Sequence, residues 1–281
     1  MDLKSEFNEG GFCYLPNVIG DEERLRIEND VLKIINSSNE YSKIKDFTYE
    51  KDSEGNSFLK RFQNQWKYSE SLLQSLGNPK ILNSAWEIYG KNMVPTAESL
   101  VINSPDKNSG FNWHQDGYNN SFTDKDRGLN IGLYINDSTK FNGAVHVIPK
   151  SHLRGKIDFE KISKNNEFNI KDSLRVDVKG GDALIHSRSL AHGSPANFSK
   201  SYRITSYYGF IHKSTLLDIY TNEDINQRLK LIPIVVEARK DNKLFHKEDS
   251  FNYIEKLGIQ RPSNFKIELD QINYKSLLNG F

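Results

Sequence analysis

The spacing of apolar positions changes part-way along the chain. In residues 21–36, Leu25, Val31, Leu32 and Ile35 recur at three- and four-residue intervals, which predicts an amphipathic helix. Asp21 suits its N-cap, Glu22 and Glu23 suit the positive end of its dipole, and Asn36-Ser37-Ser38-Asn39 ends it. Leu72, Leu73, Leu76, Ile81, Trp86 and Ile88 predict a second helical stretch over 70–90. From about residue 95, short alternating or apolar runs lie between turn residues: Ala97–Asn103, Leu129–Asn136, Ala144–Ile148, Leu174–Val178, Ala183–Ser187 and Tyr202–His212. Short strands at that spacing predict a β-sandwich or barrel rather than a parallel α/β sheet.

Around that core, residues 6–18 read as an extended leading segment, broken at Gly10-Gly11 and closed by Pro16. Residues 40–68 are polar and aromatic, with short strands or loops, and polar helical pieces follow residue 214 around Pro233 and Pro262. No internal repeat or low-complexity linker divides the chain. It reads as one mainly β domain over 1–281: support in 1–94, a catalytic core in 95–213, and an extension in 214–281.

Charge narrows the classes of partner. Lys and Arg number 38 against 37 Asp and Glu, so the chain lacks the basic excess of a nucleic-acid binder or of an anionic-membrane partner. No segment approaches the roughly 20 apolar residues of a membrane span, and the start Met-Asp-Leu-Lys-Ser-Glu lacks a signal-peptide apolar region. Cys13 is the one cysteine, which excludes an internal disulfide and fits a reducing, cytoplasmic setting. It lies in Phe12-Cys13-Tyr14-Leu15, where a buried structural thiol is expected. The partner expected is a small-molecule substrate. Monomer and homo-oligomer are equally compatible with the sequence.

Candidate chemistry begins at Trp113-His114-Gln115-Asp116-Gly117. On an extended segment, His114 and Asp116 project to the same side and can reach one cation. Alone, the pair fits a surface turn better than a metal site. Further on, Gly180-Gly181-Asp182 feeds the apolar strand Ala183–Ser187, and Leu190-Ala191-His192-Gly193-Ser194 follows. Two imidazoles and a carboxylate on one face of a metal leave positions open for substrate and O2, the facial triad of Fe(II) oxygenases. Zinc more often takes three histidines or thiolates. Arg203, beside bulky β-formers, needs an anion if it points into a barrel, and a carboxylate suits its planar fork.

These stretches resemble the phytanoyl-CoA dioxygenase family of Fe(II)/2-oxoglutarate oxygenases. The match is carried by Trp113–Gly117, by Phe141-Asn142-Gly143-Ala144-Val145-His146-Val147-Ile148-Pro149-Lys150-Ser151-His152, by His192-Gly193-Ser194 with Arg203 downstream, and by Gly11–Pro16 with the helix after it; it spans about residues 6–212. The resemblance implies a double-stranded β-helix, or jelly roll. It implies Fe(II) on His114, Asp116 and His192, and the distal carboxylate of 2-oxoglutarate on Arg203. Asn130 and Ser194, with Asn112 beside the metal motif, occupy positions that often contact the cosubstrate. Two departures stand out: Lys150 where many members have Gly, and Ile102-Asn103-Ser104-Pro105 where many have a cosubstrate-binding Lys. A Lys replaces that Gly freely only if the backbone does not need positive φ.

The implied reaction is hydroxylation of a small molecule with Fe(II), 2-oxoglutarate and O2. Halogenases of this broad class put a small residue where Asp116 stands, so Asp116 favours hydroxylation, or a desaturation or epoxidation on the same iron. A non-catalytic metal-binding sensor is the alternative. For substrate contacts, Arg188 is a candidate for an anionic group at the barrel mouth, although a solvated surface Arg is the default reading. Arg61, Gln65, Trp66, Tyr118 and Tyr208 are pocket candidates whose aromatic members fit core packing equally well. His186 is a candidate neighbour of the third ligand, whereas His146 and His152 read as structural.

Overall fold

Alternation of period two builds the strand-rich part of the chain. The computed structural model describes residues 2–105, 107, 109–118, 128–163 and 167–271. Its strands in chain order are β1 (Phe12–Leu15), β2 (Phe47–Lys51), β3 (Ser57–Gln63), β4 (Met93–Asn103), β5 (Phe111–His114), β6 (Gly128–Tyr134), β7 (Val145–Val147), β8 (Leu174–Val176), β9 (Ala183–Ser187), β10 (His192–Ser194) and β11 (Arg203–His212). They form a large sheet, ordered β1-β9-β6-β11-β4-β3-β2, and a small one, β5-β10-β7-β8. Every described strand pair is antiparallel. This is the expected jelly roll with flanking helices.

The large sheet has two different faces. Leu100 and Ile102 of β4, Leu129, Ile131 and Leu133 of β6, Ile185 of β9, and Ile204 and Tyr208 of β11 pack into an apolar core. That core is completed by the helices α1 (Leu3–Gly10), α2 (Asp21–Asn36), α3 (Glu70–Leu76) and α4 (Pro79–Tyr89). Each fully buried side chain of this kind contributes about 1.5–3 kcal/mol by leaving water. The opposite face carries Ala97, Ser99 and Val101 of β4, Asn130 of β6, His186 of β9, and Arg203 and Tyr207 of β11, and it lines a cavity.

After β7, the short α5 (Phe159–Ile162) brings Phe159 against Trp113 and Ile148 at the small sheet. The C-terminal part adds α6 (Lys213–Leu216), α7 (Asn222–Leu229), α8 (Leu231–Lys240), α9 (Tyr253–Leu257) and α10 (Phe265–Gln271). Leu231, Ile232, Val235 and Val236 of α8 join the helix-side core. Arg239 fastens this part to α2 through Glu23, at 2.6 and 2.9 Å. No helix of the described residues is long and apolar enough to cross a membrane.

Five local expectations change, the first being the start of α2, whose N-cap is Gly20 without a side-chain cap, with Asp21 in the first turn. Residues 6–10 are helical rather than extended, because the Asp2 carboxylate accepts from Ser5 N at 2.8 Å and caps α1. The buried stripe of α2 is Ile27, Val31 and Ile34, and Leu25 is 48% exposed. The stretch 70–90 is two helices: Asn78 accepts from Lys80 N at 2.9 Å, and Pro79 starts the second. Lys150 does occupy the left-handed region, at φ 63°. Its backbone N–H donates to Gly10 O at 2.9 Å, so the turn needs a conformation that Gly adopts at lower cost.

Candidate metal centre

Strand register brings the two histidines together. Strand β10 pairs antiparallel with β5, and His192 lies directly opposite His114. Their ring centroids are 4.2 Å apart. Asp116 sits two residues beyond His114, on a short 3-10 turn over Asp116–Tyr118. One carboxylate oxygen lies 3.4 Å from His114 Nε2 and the other 3.7 Å from His192 Nε2. The three candidate ligand atoms all lie within 4.8 Å of one another. Those separations are long for hydrogen bonds and suit donors that share a cation.

Neighbouring groups aim each donor. His114 Nδ1 lies 2.7 Å from Asn112 O, and His192 Nδ1 lies 2.9 Å from Leu190 O. With each Nδ1–H donating to its carbonyl, both Nε2 lone pairs point at the space beside Asp116. Asn130 donates to Asp116 Oδ2 at 2.8 Å and fixes the carboxylate. The turn is braced from behind: Gly117 N donates to Arg188 O at 2.9 Å, and Arg188 Nη2 donates to Asp116 O at 3.4 Å.

Electrostatics favour the ligand forms of Asp116 and His192; at His114 burial lowers the pKa, but the hydrogen bond and charge of Asp116 more than offset this and raise it. Burial raises the Asp116 pKa, but His192 and His114 more than offset this and hold the carboxyl well below the usual range. Burial, with His114 and His186 nearby, pushes His192 down to about 3, so its imidazole is neutral. With the His114 proton displaced by a cation, two imidazoles and one carboxylate, without thiolate, fit Fe(II) with positions left open.

Arg203 is 2% exposed on β11. It donates through Nη2 to Ser194 Oγ at 2.7 Å, through Nε to Asn142 O at 3.2 Å and through Nη1 to Thr205 Oγ1 at 3.4 Å. Ser194 in turn donates to Gly143 O at 2.6 Å. These acceptors are neutral oxygens, so the buried guanidinium retains strong attraction for a carboxylate.

A cavity of about 380 Å³ joins the metal set to Arg203. Asn112, Asn130, Ser194 and Arg61 line it as well. Four expected pocket residues do not. Arg188 is 1% exposed behind the metal turn rather than solvated at a mouth. Gln65 is occupied on the helix side, accepting from Ser206 Oγ at 2.8 Å and donating to Tyr207 O at 3.1 Å. Trp66 and Tyr208 belong to the helix-side core, where the Tyr208 hydroxyl meets Ser75 Oγ. The Tyr118 side chain lies outside the described residues.

Tyr207 takes the wall position that Tyr208 was expected to fill. Period-two alternation from Arg203 selects Tyr207, so the signal was present in the sequence. Gly132 makes room for that ring: a Cβ there would lie 2.8 Å from Tyr207 Cε1. His186 is also in the wall, its ring centroid 4.5 Å from that of His192.

The phytanoyl-CoA dioxygenase family profile matches residues 7–205, and the chain belongs to this family of iron- and 2-oxoglutarate-dependent oxygenases. Its cofactors are Fe(II) and 2-oxoglutarate, with O2 as cosubstrate. Among curated proteins it is similar to a probable alpha-ketoglutarate-dependent hypophosphite dioxygenase of Stutzerimonas stutzeri, 25% identical over 221 residues, covering 70% of this chain and 73% of that protein. Among solved structures it resembles EvdMO1, with 26% identity and a TM-score of 0.62 over 75% of this chain. The chain spans 49% of EvdMO1, about half its length. AviO1 from Streptomyces viridochromogenes Tue57 shares the fold, with a TM-score of 0.63 and 22% identity, covering 76% of this chain and 95% of that one.

Proposed function

We propose that this protein is a hydroxylase of a compact small-molecule metabolite or biosynthetic intermediate, with succinate and CO2 as coproducts. The observation that carries this reading is Asp116, a carboxylate kept beside two facing histidines in the cavity that also holds buried Arg203. The cavity lies near the lower end of small-molecule sites, and the cosubstrate takes part of it. The Stutzerimonas relative is described as acting on hypophosphite, which agrees with a compact substrate here.

In this reading His114, Asp116 and His192 hold Fe(II) on one face. Arg203 and Ser194 hold the distal carboxylate of 2-oxoglutarate. Bound together, metal and cosubstrate supply the oxidising chemistry, in which 2-oxoglutarate is decarboxylated and one atom of O2 goes to the substrate. The chain does the positioning. Asn130 keeps the Asp116 carboxylate in one orientation, and the backbone carbonyls of Asn112 and Leu190 keep both imidazoles in one tautomer. Val101, Phe111 and Val145 in the wall limit water at the reacting bond. With Asp116 as a ligand, the halide position of a halogenase is filled.

The test is spectroscopic. Anaerobic protein given Fe(II) and 2-oxoglutarate is expected to show a weak visible charge-transfer band. Asp116→Ala is expected to remove the band and to bring substrate-dependent succinate release to background. A wild-type protein that retains no metal and shows no band would refute the reading.

A further inference from the structure

We propose that the prime substrate carries a hydrogen-bond donor, a hydroxyl or amino group, and that His186 recognises it through Nε2, with Asn130 Oδ1 alongside. This rests on the Fe(II)/2-oxoglutarate reading above and deepens it by naming a substrate class.

Four strands lay one row of residues across the cavity floor. His186 of β9 lies directly opposite Asn130 of β6, Asn130 opposite Gly209 of β11, and Gly209 opposite Ala97 of β4. His186, Asn130 and Ala97 all line the cavity. Directly opposed residues on antiparallel neighbours have Cα atoms about 4.5–5.5 Å apart, so His186 and Asn130 stand side by side. The row shrinks towards β4, from His and Asn to Gly and Ala, which leaves space above Gly209. A Cβ at Gly209 would come to 3.0 Å from Asn130 Oδ1 and 3.2 Å from Ala97 Cβ, so the bare backbone there keeps that oxygen uncrowded.

Both polar side chains have a fixed polarity. His186 Nδ1 lies 3.2 Å from Ser187 O. A carbonyl oxygen only accepts, so in the neutral ring Nδ1 carries the proton and Nε2 is an acceptor. Asn130 donates through Nδ2 to Asp116 Oδ2 at 2.8 Å, which leaves Oδ1 as its acceptor end. Among the described residues, no group donates to His186 Nε2 or to Asn130 Oδ1. His186 is 3% exposed, and a buried acceptor without a donor costs free energy that a donor on the substrate relieves. The metal does not claim this ring, because the ion-binding set is His114, Asp116 and His192. The ring lies 4.5 Å from that of His192, centroid to centroid, and Tyr207 meets it edge-on at 6.2 Å. A molecule bonded to Nε2 is therefore held beside the metal centre, where a target bond has to be.

Nuclear magnetic resonance of the full chain, loaded with Zn(II) as a diamagnetic stand-in for Fe(II) and with 2-oxoglutarate, tests both the polarity and the recognition. In protein carrying 15N-labelled histidine, His186 is expected to show the tautomer protonated at Nδ1, its signals assigned by their loss in His186→Phe. Three probes of one size separate donor from acceptor: 2-propanol, isopropylamine, and acetone, which only accepts. The alcohol or the amine is expected to bind more tightly than acetone and to move the His186 Nε2 signal, and the tighter of the two decides between hydroxyl and amino group. His186→Phe keeps a ring and loses the acceptor; it is expected to weaken that probe about 2- to 12-fold, the range of one hydrogen bond, and to leave acetone unchanged. His186→Gln, whose Oε1 can take the place of Nε2, is expected to lose less. A wild-type His186 protonated at Nε2 overturns the proposal whatever the variants do. So does acetone binding as tightly as both donors, an unchanged donor affinity in His186→Phe, or an equal loss of all three probes there, the mark of a purely structural role. A wild-type chain that retains neither Zn(II) nor 2-oxoglutarate fails at the earlier step, the Fe(II)/2-oxoglutarate reading itself.

Discussion

The two faces of the large sheet use the same strands for opposite purposes. On β11, Ile204 and Tyr208 point to the helices, and Arg203 and Tyr207 point to the cavity. On β6, Leu129, Ile131 and Leu133 are fully buried against helices, and Asn130 reaches across to Asp116. The helix side is stabilised by apolar area, which is tolerant of exact identity so long as volume is kept. The cavity side depends on a few polar groups that must be aimed and satisfied, so a single truncation there removes function rather than stability. Stability and chemistry are thereby separated by one residue along each strand.

Arg203→Ala tests this separation with the largest expected effect. Truncating one member of a buried charge pair costs about 2–5 kcal/mol, so the Kd for 2-oxoglutarate is expected to rise roughly 30- to 3000-fold by equilibrium titration. Thermal stability should change far less than affinity. Asn130→Ala removes the donor that holds Asp116 and is expected to lower Fe(II) affinity or turnover by about 10- to 100-fold, read by metal titration of the purified protein. The smallest effect sharpens the comparison most. Tyr208→Phe loses the hydroxyl contact with Ser75 and should cost about 0.5–1.5 kcal/mol in denaturant unfolding, with KM unchanged. Tyr207→Phe should shift KM with little change in unfolding. The reverse pattern would mean that the two faces have been assigned the wrong way round.

Much of this was legible before any coordinates. The change of period near residue 95 announced a β-sandwich or barrel, the family resemblance implied the jelly roll, and His114, Asp116, His192 and Arg203 stood out by residue type and order. Misreadings arose where a local pattern carries no sense of direction. The aromatic pair Tyr207-Tyr208 is misread when taken by itself, whereas alternation counted from Arg203 puts Tyr207 on the cavity face. Arg188 looked exposed because isolated arginines usually are; only its long-range contacts with Asp116 and Gly128 show that it is buried. Arg61 lies far from the metal motif in sequence and reaches it through cross-strand pairing of β3 with β4.

By itself, the sequence determined which residue types were available: two histidines and an acid for a metal, an arginine for a carboxylate, and a single cysteine, too few for a multi-thiolate site. It also determined the strand period, because that follows from backbone geometry and local side-chain chemistry. Tertiary structure decided the rest. The pairing of β5 with β10 set His192 opposite His114, Asn130 came from a third strand to fix Asp116, and β3 delivered Arg61 to the same cavity. The physical reason is that a cation or an anion is bound by groups converging in space, and convergence between strands is set by register and sheet order, which no single stretch of the chain encodes.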